Sequence, residues 1–566
     1  MGKFRCVRVP NDRFTKRSTD LSRNSITRGL TMSADTKLHP NAGGGGRKPR
    51  LIPAILTLIL IACSTIMGCN GHNDPVSADS SDTMMRFAQE FNDIYEWPDD
   101  YDAYSIDSST ATWTYPVPGS YTIGDIVMGD SPEVPAGRFP VTAIVRHEND
   151  EPDSTIGIRI YESGNSLVHT ESFSYADKSG DVHIDQDYQD CRNPAVEVTY
   201  NREQGVDIAF KVHIVWSERI SYGELYSQWE IVYRYIEFGL DDSREWEKVR
   251  DDYVKVSCLY RHNEQPDLCV YRPTGDLYAV FRNIVDPYST IYATRLPASE
   301  PWDPDGWESP DLVSSSHAAE HPSIDAGCFT EVTPETGITA AGQIIAVWSQ
   351  DEVYDEIYYY PVIYLNDWSP VGSPDSGDAV AISENEWGTD AVLPRVEVLP
   401  YSSDLNEAVI VWDERPSIGC VGPNVVAMAV TPFIGPEYSD YCYEVDVDYM
   451  QRPDLAAYEG AHSGFEDMGL FALASQCNHD GLTNDWDIVA AAFSVEVDDQ
   501  TEEFNFIREQ ITPIQCVPER STIEEFTGPS ISIRDTSISG WMYDEFAVAY
   551  IVEDFNSYIA FGDTTE

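Results

Sequence analysis

The chain has 566 residues, of which 36 are Lys or Arg and 96 are Asp or Glu, so its formal net charge at pH 7 is −60. This balance excludes a nucleic-acid ligand held by basic patches, because phosphate binding needs clustered Lys and Arg. The acidic residues are spread along the chain after residue 68, which indicates a solvated acidic surface and leads us to expect adaptation to high salt.

Residues 51 to 68 form an apolar run that directly follows the basic segment Arg47-Lys48-Pro49-Arg50. A basic segment, an apolar run and small residues in this order are typical of a secretory signal, and the run is short for a membrane-spanning helix. The basic stretch before it is long for a signal, so Met1 and Met32 both remain possible starts. We assign residues 1–68 to a signal region with a non-structural extension.

The segment Ile66-Met67-Gly68-Cys69 resembles the lipobox of bacterial lipoproteins, in which the cysteine is acylated and becomes the new N-terminus. Leu60-Ile61-Ala62-Cys63 is a rival, but it would shorten the apolar run, so Cys69 is the predicted lipidation site. The resemblance implies an exported protein anchored in a membrane by acyl chains, at the outer membrane or cell surface. The polar residues that follow predict a flexible tether over residues 69–100.

A short phrase recurs after residue 140: an apolar strand that ends in an aromatic residue and is followed by a polar turn. The clearest copies are Ile214-Val215-Trp216-Ser217-Glu218, Ala279-Val280-Phe281-Arg282, Ala346-Val347-Trp348-Ser349-Gln350-Asp351 and Ile410-Val411-Trp412-Asp413-Glu414. Weaker copies are Ala143-Ile144-Val145-Arg146, Phe471-Ala472-Leu473-Ala474 and Ala547-Val548-Ala549-Tyr550. Self-similarity at this period indicates a unit that stacks on copies of itself.

Each copy also has a following strand and a leading strand, and we expect a proline to open most of the leading strands. The prolines are Pro194, Pro266, Pro322, Pro394, Pro453 and Pro529. Strands rich in Val, Ile, Tyr and Trp, without helical periodicity, predict an all-β fold. We predict a single β-propeller over residues 101–566, with seven blades of about four antiparallel strands. Six blades, or two β-sandwiches, are the alternatives.

Eight cysteines follow Cys69, an even number that favours four disulfides in an exported protein. They are Cys191, Cys258, Cys269, Cys328, Cys420, Cys442, Cys477 and Cys516. The nearest neighbours in sequence, Cys258 with Cys269 and Cys420 with Cys442, are the first pairs we expect. Because no two cysteines have the C-x-x-C spacing, we do not expect a zinc site.

The order of strand, aromatic residue, acidic turn and Ile-Tyr strand, over about residues 120–563, resembles the propellers of the sialidase-like and BNR-repeat class. The Asp-box of that class is not intact, and Asp303-Pro304-Asp305-Gly306-Trp307 is the nearest fragment. The resemblance implies glycoside hydrolysis as an alternative function, which requires two carboxylates at a set separation. The sequence assigns no catalytic residue, because the chain has 96 acids from which to choose a pair.

One segment, Asn478 to Asp487, resembles the calcium loop of FG-GAP propeller repeats. Its candidate ligands are Asn478, Asp480, Asn484, Asp485 and Asp487. Oxygen ligands at alternate positions, with Gly481 allowing a tight turn, suit a hard cation such as calcium. A hairpin turn whose Asn and Asp side chains bond the local backbone is the alternative.

The tryptophans fall into two groups. Those that end apolar strands, such as Trp216 and Trp348, are expected to pack between blades. Loop tryptophans are candidates for contact with a ligand: Trp302, Trp307, Trp387 and Trp486. Nucleotide-binding, serine-hydrolase and zinc-protease motifs are missing from the sequence. We therefore expect a binding or scaffold module for a protein or a polysaccharide at the cell envelope. A sialidase-like hydrolase and a structural envelope protein are the alternatives.

Overall fold

The structure is a computed structural model of the chain. It describes the following residues, all within the compact unit Ser77–Glu566: 111–113, 120–128, 142–150, 153–162, 166–175, 190–200, 210–221, 227–240, 245–257, 261–285, 288–298, 303–314, 318–333, 337–354, 358–383, 389–398, 407–416, 425–432, 442–445, 450–457, 469–478, 486–498, 503–515, 530–535, 544–551 and 557–563. The predicted signal region, Cys69 and the tether over 69–100 lie outside these residues and stay predictions. Among the described residues, none forms a helix long and apolar enough to cross a membrane.

The described residues are almost entirely β-strand. The strands are β1 (Ala111–Trp113), β2 (Ser120–Met128), β3 (Thr142–Asp150), β4 (Asp153–Glu162), β5 (Ser166–Phe173), β6 (Cys191–Tyr200), β7 (Phe210–Ser221), β8 (Ser227–Leu240), β9 (Trp246–Lys255), β10 (His262–Tyr271), β11 (Asp276–Val285), β12 (Tyr288–Leu296), β13 (Asp311–Leu312), β14 (Ala319–Thr333), β15 (Gly337–Tyr354), β16 (Tyr358–Trp368), β17 (Val380–Ala381), β18 (Thr389–Val398), β19 (Glu407–Pro416), β20 (Val425–Pro432), β21 (Cys442–Val445), β22 (Met450–Ala457), β23 (Gly469–Asn478), β24 (Trp486–Asp498), β25 (Glu503–Gln515), β26 (Ser530–Asp535), β27 (Asp544–Ile551) and β28 (Ser557–Asp563).

These strands form seven four-stranded antiparallel sheets, within the part of the chain that the structure describes. In chain order, sheets I to VI are β2–β5, β6–β9, β10–β13, β14–β17, β18–β21 and β22–β25. Sheet VII combines β26, β27 and β28 with β1, which pairs with β28 through Ala111 opposite Ile559. The first described strand therefore completes the last sheet.

The innermost strands contact one another in order around a ring. They are β2, β6, β10, β14, β18, β22 and β26, and β26 in turn contacts β2. A closed ring of four-stranded antiparallel sheets is a β-propeller. The predicted all-β propeller is confirmed, and we call the space that the innermost strands surround the channel.

The hydrophobic core lies between neighbouring sheets. From sheet I to sheet V, apolar side chains of one sheet pack against those of the next, so the described faces of these sheets are buried in four layers. The aromatic residues of the repeated phrase lie in these layers, and Trp216, Trp348, Trp412 and Phe281 are 0% exposed. Their burial agrees with the packing role expected from the sequence.

The prolines of the leading strands are placed differently from the prediction. Five of the six do not open a strand: β6 begins at Cys191, three residues before Pro194, and β14 begins at Ala319, before Pro322. Each of these five lies at a β-bulge, where the register with the second strand shifts. Pro529 lies outside the described residues. A bulge leaves a residue unpaired, so it tolerates a residue that has no N–H to donate.

One predicted disulfide is not formed. Cys269 is a free thiol on β10 and is 1% exposed, so the Cys258–Cys269 pair is absent from this structure. The side chain of Cys269 faces carboxyl groups of neighbouring innermost strands, and burial raises its pKa well above the usual value. Sequence proximity misled the prediction, because Cys269 packs in the apolar layer between sheets III and IV.

Candidate functional site at the mouth of the channel

The starts of the innermost strands and the ends of the second strands meet at one face of the ring, which we call the mouth. In five sheets the residue before the bulge proline has a left-handed backbone conformation, although it is not glycine. These residues are Asn193, Gln265, His321, Leu393 and Arg452, with φ angles of 49°, 52°, 52°, 55° and 54°. Such conformations cost about 1–3 kcal/mol each and concentrate at functional sites. The strained backbone therefore marks the mouth as a candidate functional site.

Two of these residues join sheets III and IV. The backbone N–H of His321 donates to Oε1 of Gln265 over 3.0 Å, and Nε2 of Gln265 lies 3.1 Å from Nδ1 of His321. Burial first, and then the nearby guanidinium groups of Arg395 and Arg282, lower the pKa of His321 to about 4. His321 is therefore a neutral imidazole at pH 7, and it can accept a hydrogen bond as well as donate one.

A second contact between the same sheets involves charged groups. The guanidinium of Arg282, at the end of β11, binds the carboxylate of Glu320, at the start of β14. Asp351, at the end of the repeated phrase in β15, is exposed beside them. Partial desolvation raises the pKa of Asp351, and the carboxylates of Glu320 and Asp390 raise it further, while Arg282 acts in the opposite direction. Asp351 is a carboxyl group that holds its proton more tightly than usual, beside two other acids.

A third contact joins sheets V and VI. Asp413 follows the buried Trp412, and its side chain is 0% exposed. It accepts a hydrogen bond from the backbone N–H of Arg452 over 2.5 Å and another from Nη2 of Arg415 over 2.6 Å. Burial raises the pKa of Asp413, and Arg415 partly offsets this rise. Asp413 thus fixes the strained residue Arg452 and orients Arg415, whose side chain is 34% exposed.

Two arginines at the mouth are paired with acids, and so is a third that lies deeper. Arg282 pairs with Glu320 and Arg415 with Asp413, and deeper in the channel Nε of Arg395 lies 3.2 Å from Oδ1 of Asp454. We call the set formed by Gln265, Arg282, Glu320, His321, Asp351, Asp413 and Arg415 the mouth cluster. It presents both donors and acceptors without a surplus of positive charge.

Behind the mouth, each innermost strand of sheets I to VI carries a carboxylate at or just after its bulge. They are Asp125, Glu197, Asp267, Asp325, Glu397 and Asp454. Three of them accept a backbone N–H from the next innermost strand, over 2.7 to 3.0 Å: that of Val196, of Ile324 and of Val398. Burial raises the pKa values of Asp125, Glu197, Asp267 and Asp325. These channel carboxylates therefore tie neighbouring sheets together.

The residues predicted as sites are only partly within the described part of the chain. Trp307 is half-buried, and its ring packs edge-on against Tyr233 with centroids 5.3 Å apart, in the layer between sheets II and III. Trp302 and Trp387 lie outside the described residues, and Trp486 is described only as the first residue of β24. The structure does not bring Trp307 into the mouth cluster, so the loop tryptophans stay an untested prediction as ligand contacts.

The predicted calcium loop also falls mainly outside the described residues. Asn478 ends β23 and Asp487 lies in β24, with Asn478 opposite Trp486 and Cys477 opposite Asp487, so the segment links two paired strands. Asp480, Asn484 and Asp485 are not described. Among the residues that are, no group of three or more His, Cys, Asp or Glu side chains is arranged to hold a metal ion. The calcium site stays a prediction.

Sequence analysis did not select the mouth cluster. Its members follow the buried aromatic residue of the repeated phrase, as in Trp348-Ser349-Gln350-Asp351, or precede the bulge proline, as in Glu320-His321-Pro322. Their shared position in the repeat, next to the aromatic residue or the proline, is the sequence feature that could have identified them. It identifies the face of the ring, but it does not show which residues of different sheets meet there.

Comparison with known proteins gives only distant likenesses. No protein-family model matches the chain, and no curated protein matches it significantly. It is similar to a Hadza microbial sialidase, at 11% identity, over 73% of this chain and 74% of that chain, with a TM-score of 0.33. It is also similar to an alpha-L-arabinanase from Penicillium chrysogenum, at 9% identity over 64% and 94% of the two chains, with a TM-score of 0.30.

An alpha-L-arabinanase from Cellvibrio cellulosa is similar at 11% identity, over 56% of this chain and 96% of that chain, with a TM-score of 0.26. At these identities and TM-scores the likenesses carry no argument about function. The propeller fold rests on the order and closure of the sheets, and the candidate site rests on the contacts at the mouth.

Proposed function

We propose that this chain is a carbohydrate-binding propeller that takes a neutral glycan at the mouth cluster. The observation that carries the proposal is the matched set of charges there: Arg282 is bound by Glu320, and Arg415 by Asp413. An acidic ligand would need arginines that are not already paired, whereas sugar hydroxyls donate and accept hydrogen bonds and suit paired groups. A rigid scaffold that presents strained strand ends is a suitable place for such a site.

The proposed setting follows from the sequence. The predicted lipid anchor at Cys69 and the tether over 69–100 would hold the propeller at the outer membrane or cell surface, where polysaccharides are available. A protein ligand is the competing partner, and binding to a panel of polysaccharides separates the two. A structural envelope protein without a discrete ligand would show neither kind of binding.

A second candidate function, glycoside hydrolysis, is favoured by Asp351. Hydrolysis needs one carboxyl group that donates a proton and one carboxylate that acts from the other side of the bond. In this assignment Asp351 protonates the glycosidic oxygen as its bond to the anomeric carbon breaks. A water oxygen bonds to that carbon and gives a proton to Glu320, which lies beside Arg282. The raised pKa of Asp351 supports its role as the acid.

The test is a panel of neutral and acidic polysaccharides, with binding measured by calorimetry and cleavage measured by release of reducing ends. Glu320→Gln is expected to weaken glycan binding by tenfold or more, because it breaks the pair with Arg282. Asp305→Asn, in an exposed turn, is the matched control and should change neither readout.

Asp351→Asn separates the two functions. Retained binding with lost release of reducing ends identifies a hydrolase, whereas binding without release in the unaltered chain identifies a binding protein. Failure of every neutral glycan to bind at millimolar concentration overturns the proposal, and binding of acidic polysaccharides alone overturns the charge argument.

A further inference from the structure

Ser530, the first residue of β26, lies between two carboxyl groups from other sheets. Its Oγ is 2.9 Å from Oδ2 of Asp454 in sheet VI and 3.4 Å from Oδ1 of Asp125 in sheet I. The three residues therefore meet where sheets VI, VII and I come together, which is the junction between the first and last sheets of the ring.

The Ser530 hydroxyl cannot donate a hydrogen bond to both carboxyl groups. A serine hydroxyl has one proton, so Ser530 can donate to only one of the two carboxyl groups. Asp454 is the nearer acceptor, and Nε of Arg395 also lies 3.2 Å from its Oδ1, so Asp454 is the charged partner. A hydrogen bond between Ser530 and Asp125 then forms only when Asp125 carries a proton.

The other oxygen of Asp125 supports the same arrangement. Oδ2 accepts the backbone N–H of Val196 over 2.8 Å. A protonated carboxyl group has one oxygen that accepts and one O–H that donates, so Oδ2 acts as the acceptor and Oδ1 carries the proton toward Ser530. Every polar atom of Asp125 then has a partner of the right kind, which a buried carboxyl group requires.

We propose that Asp125, Ser530 and Asp454 form a proton-dependent latch, in which protonated Asp125 donates a hydrogen bond to the Ser530 hydroxyl and that hydroxyl donates to Asp454, so that this chain of hydrogen bonds closes the ring between its first and last sheets. Loss of that proton places two carboxylates on either side of one hydroxyl, which can satisfy only one of them. The junction then weakens, and the latch senses pH.

The charges that face Asp125 agree with this assignment. Asp454 from β22 and Asp267 from β10 raise its pKa, Arg395 from β18 lowers it, and Glu197 from the adjacent β6 interacts with it. On β3, Arg146 and Glu148 are paired with each other over 2.8 Å, and His147 titrates near pH 4 because burial lowers its pKa. On β26, Ser530 is the residue whose side chain is described, and the side chains of β27 lie outside the described set.

Burial is the largest influence on Asp125 and raises its pKa from 3.8 to about 8. The folded chain therefore keeps a proton that the unfolded chain loses above its own, unshifted pKa. Stability from this group is complete at low pH, falls as pH rises between the two pKa values, and is lost once pH passes about 8.

The test compares the full-length chain with its Asp125→Asn variant. Asparagine keeps an acceptor for Val196 and a donor for Ser530 at every pH, so it imitates the protonated acid. The unfolding equilibrium constants of the two proteins should diverge by up to about tenfold per pH unit between pH 5 and 8, with the variant the more stable, and should keep a constant ratio above pH 8. Asp305→Asn, in an exposed turn, should follow the unaltered chain throughout. Parallel profiles for the unaltered chain and Asp125→Asn overturn the proposal.

A spectroscopic measurement keeps the proposal testable if Asp125→Asn does not fold. The infrared stretch of protonated carboxyl groups should shift at pH 7 in Ser530→Ala, because Asp125 loses its acceptor. An unchanged carboxyl band in Ser530→Ala overturns the latch. Glycan binding at the mouth is independent of this result, so failure of the latch leaves the proposed function standing.

Discussion

Trp412 donates its indole N–H to Glu414, two residues further along the same strand, over 3.2 Å. The same relationship recurs in two other sheets, between Trp216 and Glu218 over 2.9 Å and between Trp348 and Gln350 over 3.1 Å. In these three sheets, the polar residue two positions after the tryptophan therefore accepts its indole N–H. A fully buried indole N–H needs such an acceptor.

Replacement of Glu414 should depend on whether an acceptor remains. Glu414→Gln should change the free energy of unfolding by less than about 0.5 kcal/mol, because sheet IV already uses glutamine for this purpose. Glu414→Leu should cost about 1–3 kcal/mol, since it leaves the Trp412 N–H buried without a partner. Urea denaturation measures both variants.

The double variant Trp412→Phe with Glu414→Leu is the control for that prediction. Sheet III has Phe281 at the equivalent position, and there Asn283 bonds to Asn263 instead. Removal of both partners should therefore recover part of the loss seen with Glu414→Leu alone. A double variant less stable than the sum of its parts would contradict the assigned hydrogen bond.

The buried carboxylate of Asp413 accepts hydrogen bonds from Arg452 and Arg415 at the mouth, so its replacement should destabilise the chain. Asp413→Asn keeps an oxygen for the N–H of Arg452 and should cost about 1 kcal/mol, whereas Asp413→Leu should cost about 2–4 kcal/mol. The larger loss follows because the backbone N–H and the guanidinium of Arg415 both lose a partner. Equal stability of the two variants, measured by urea denaturation, would show that these bonds contribute little.

The fold was predictable because its signals are local. Apolar runs that end in Trp216, Trp348 and Trp412 mark the second strand of a sheet wherever they occur, and the spacing of the copies implies stacked sheets. The prolines were also visible, but their effect was not: alternation along a strand does not show a bulge, so the left-handed residues before them could not be located.

The site was not predictable because it is assembled from different sheets. Arg282 and Glu320 are 38 residues apart in sequence, and Ser530 and Asp125 are 405 apart. Within a chain of 96 acids, nothing local separates Asp351 or Asp413 from the carboxylates of the surface. Only the ring brings the strand ends to one face, where burial and neighbouring charges distinguish them.

Gly342 marks a close approach between sheets III and IV. A Cβ atom on this residue of β15 would collide with Tyr271 and Pro370. Gly342→Ala should therefore destabilise the chain by about 1–3 kcal/mol, because a packed layer has no room for an added methyl group. Gly239→Ala is the matched control, since the nearest atom to its Cβ would be a Val249 methyl at 3.5 Å. Thermal unfolding that affects both variants equally would refute the steric argument.

His213 should make the chain sensitive to acid. It is 0% exposed, with Nε2 2.8 Å from Oγ1 of Thr199 and Nδ1 2.8 Å from the hydroxyl of Tyr233. Burial lowers its pKa from 6.5 to about 3, so the unfolded chain takes up a proton that the folded chain refuses. Its contribution to stability is present above pH 6.5 and falls as pH drops toward 3.

The variant His213→Gln keeps a neutral side chain that donates and accepts. The difference in free energy of unfolding between the unaltered chain and this variant should shrink as pH falls from 6.5 to 3.5, because the variant has no proton to take up. Urea denaturation at several pH values gives that difference. A difference that is constant with pH would mean that His213 takes up a proton as readily in the folded chain as in the unfolded chain.

Salt should stabilise the whole propeller. After residue 68 the chain has 24 Lys or Arg against 93 Asp or Glu, so its surface carboxylates repel one another at low ionic strength. At about 1 M salt the Debye length falls to about 3 Å, and this repulsion is screened. The melting temperature should rise between about 0.05 M and 1 M sodium chloride. Sucrose at equal osmolality is the control, because it is excluded from the protein surface but does not screen charge. Charge repulsion would not limit the stability of this chain if the melting temperature rose equally in sucrose, or if it did not rise in salt.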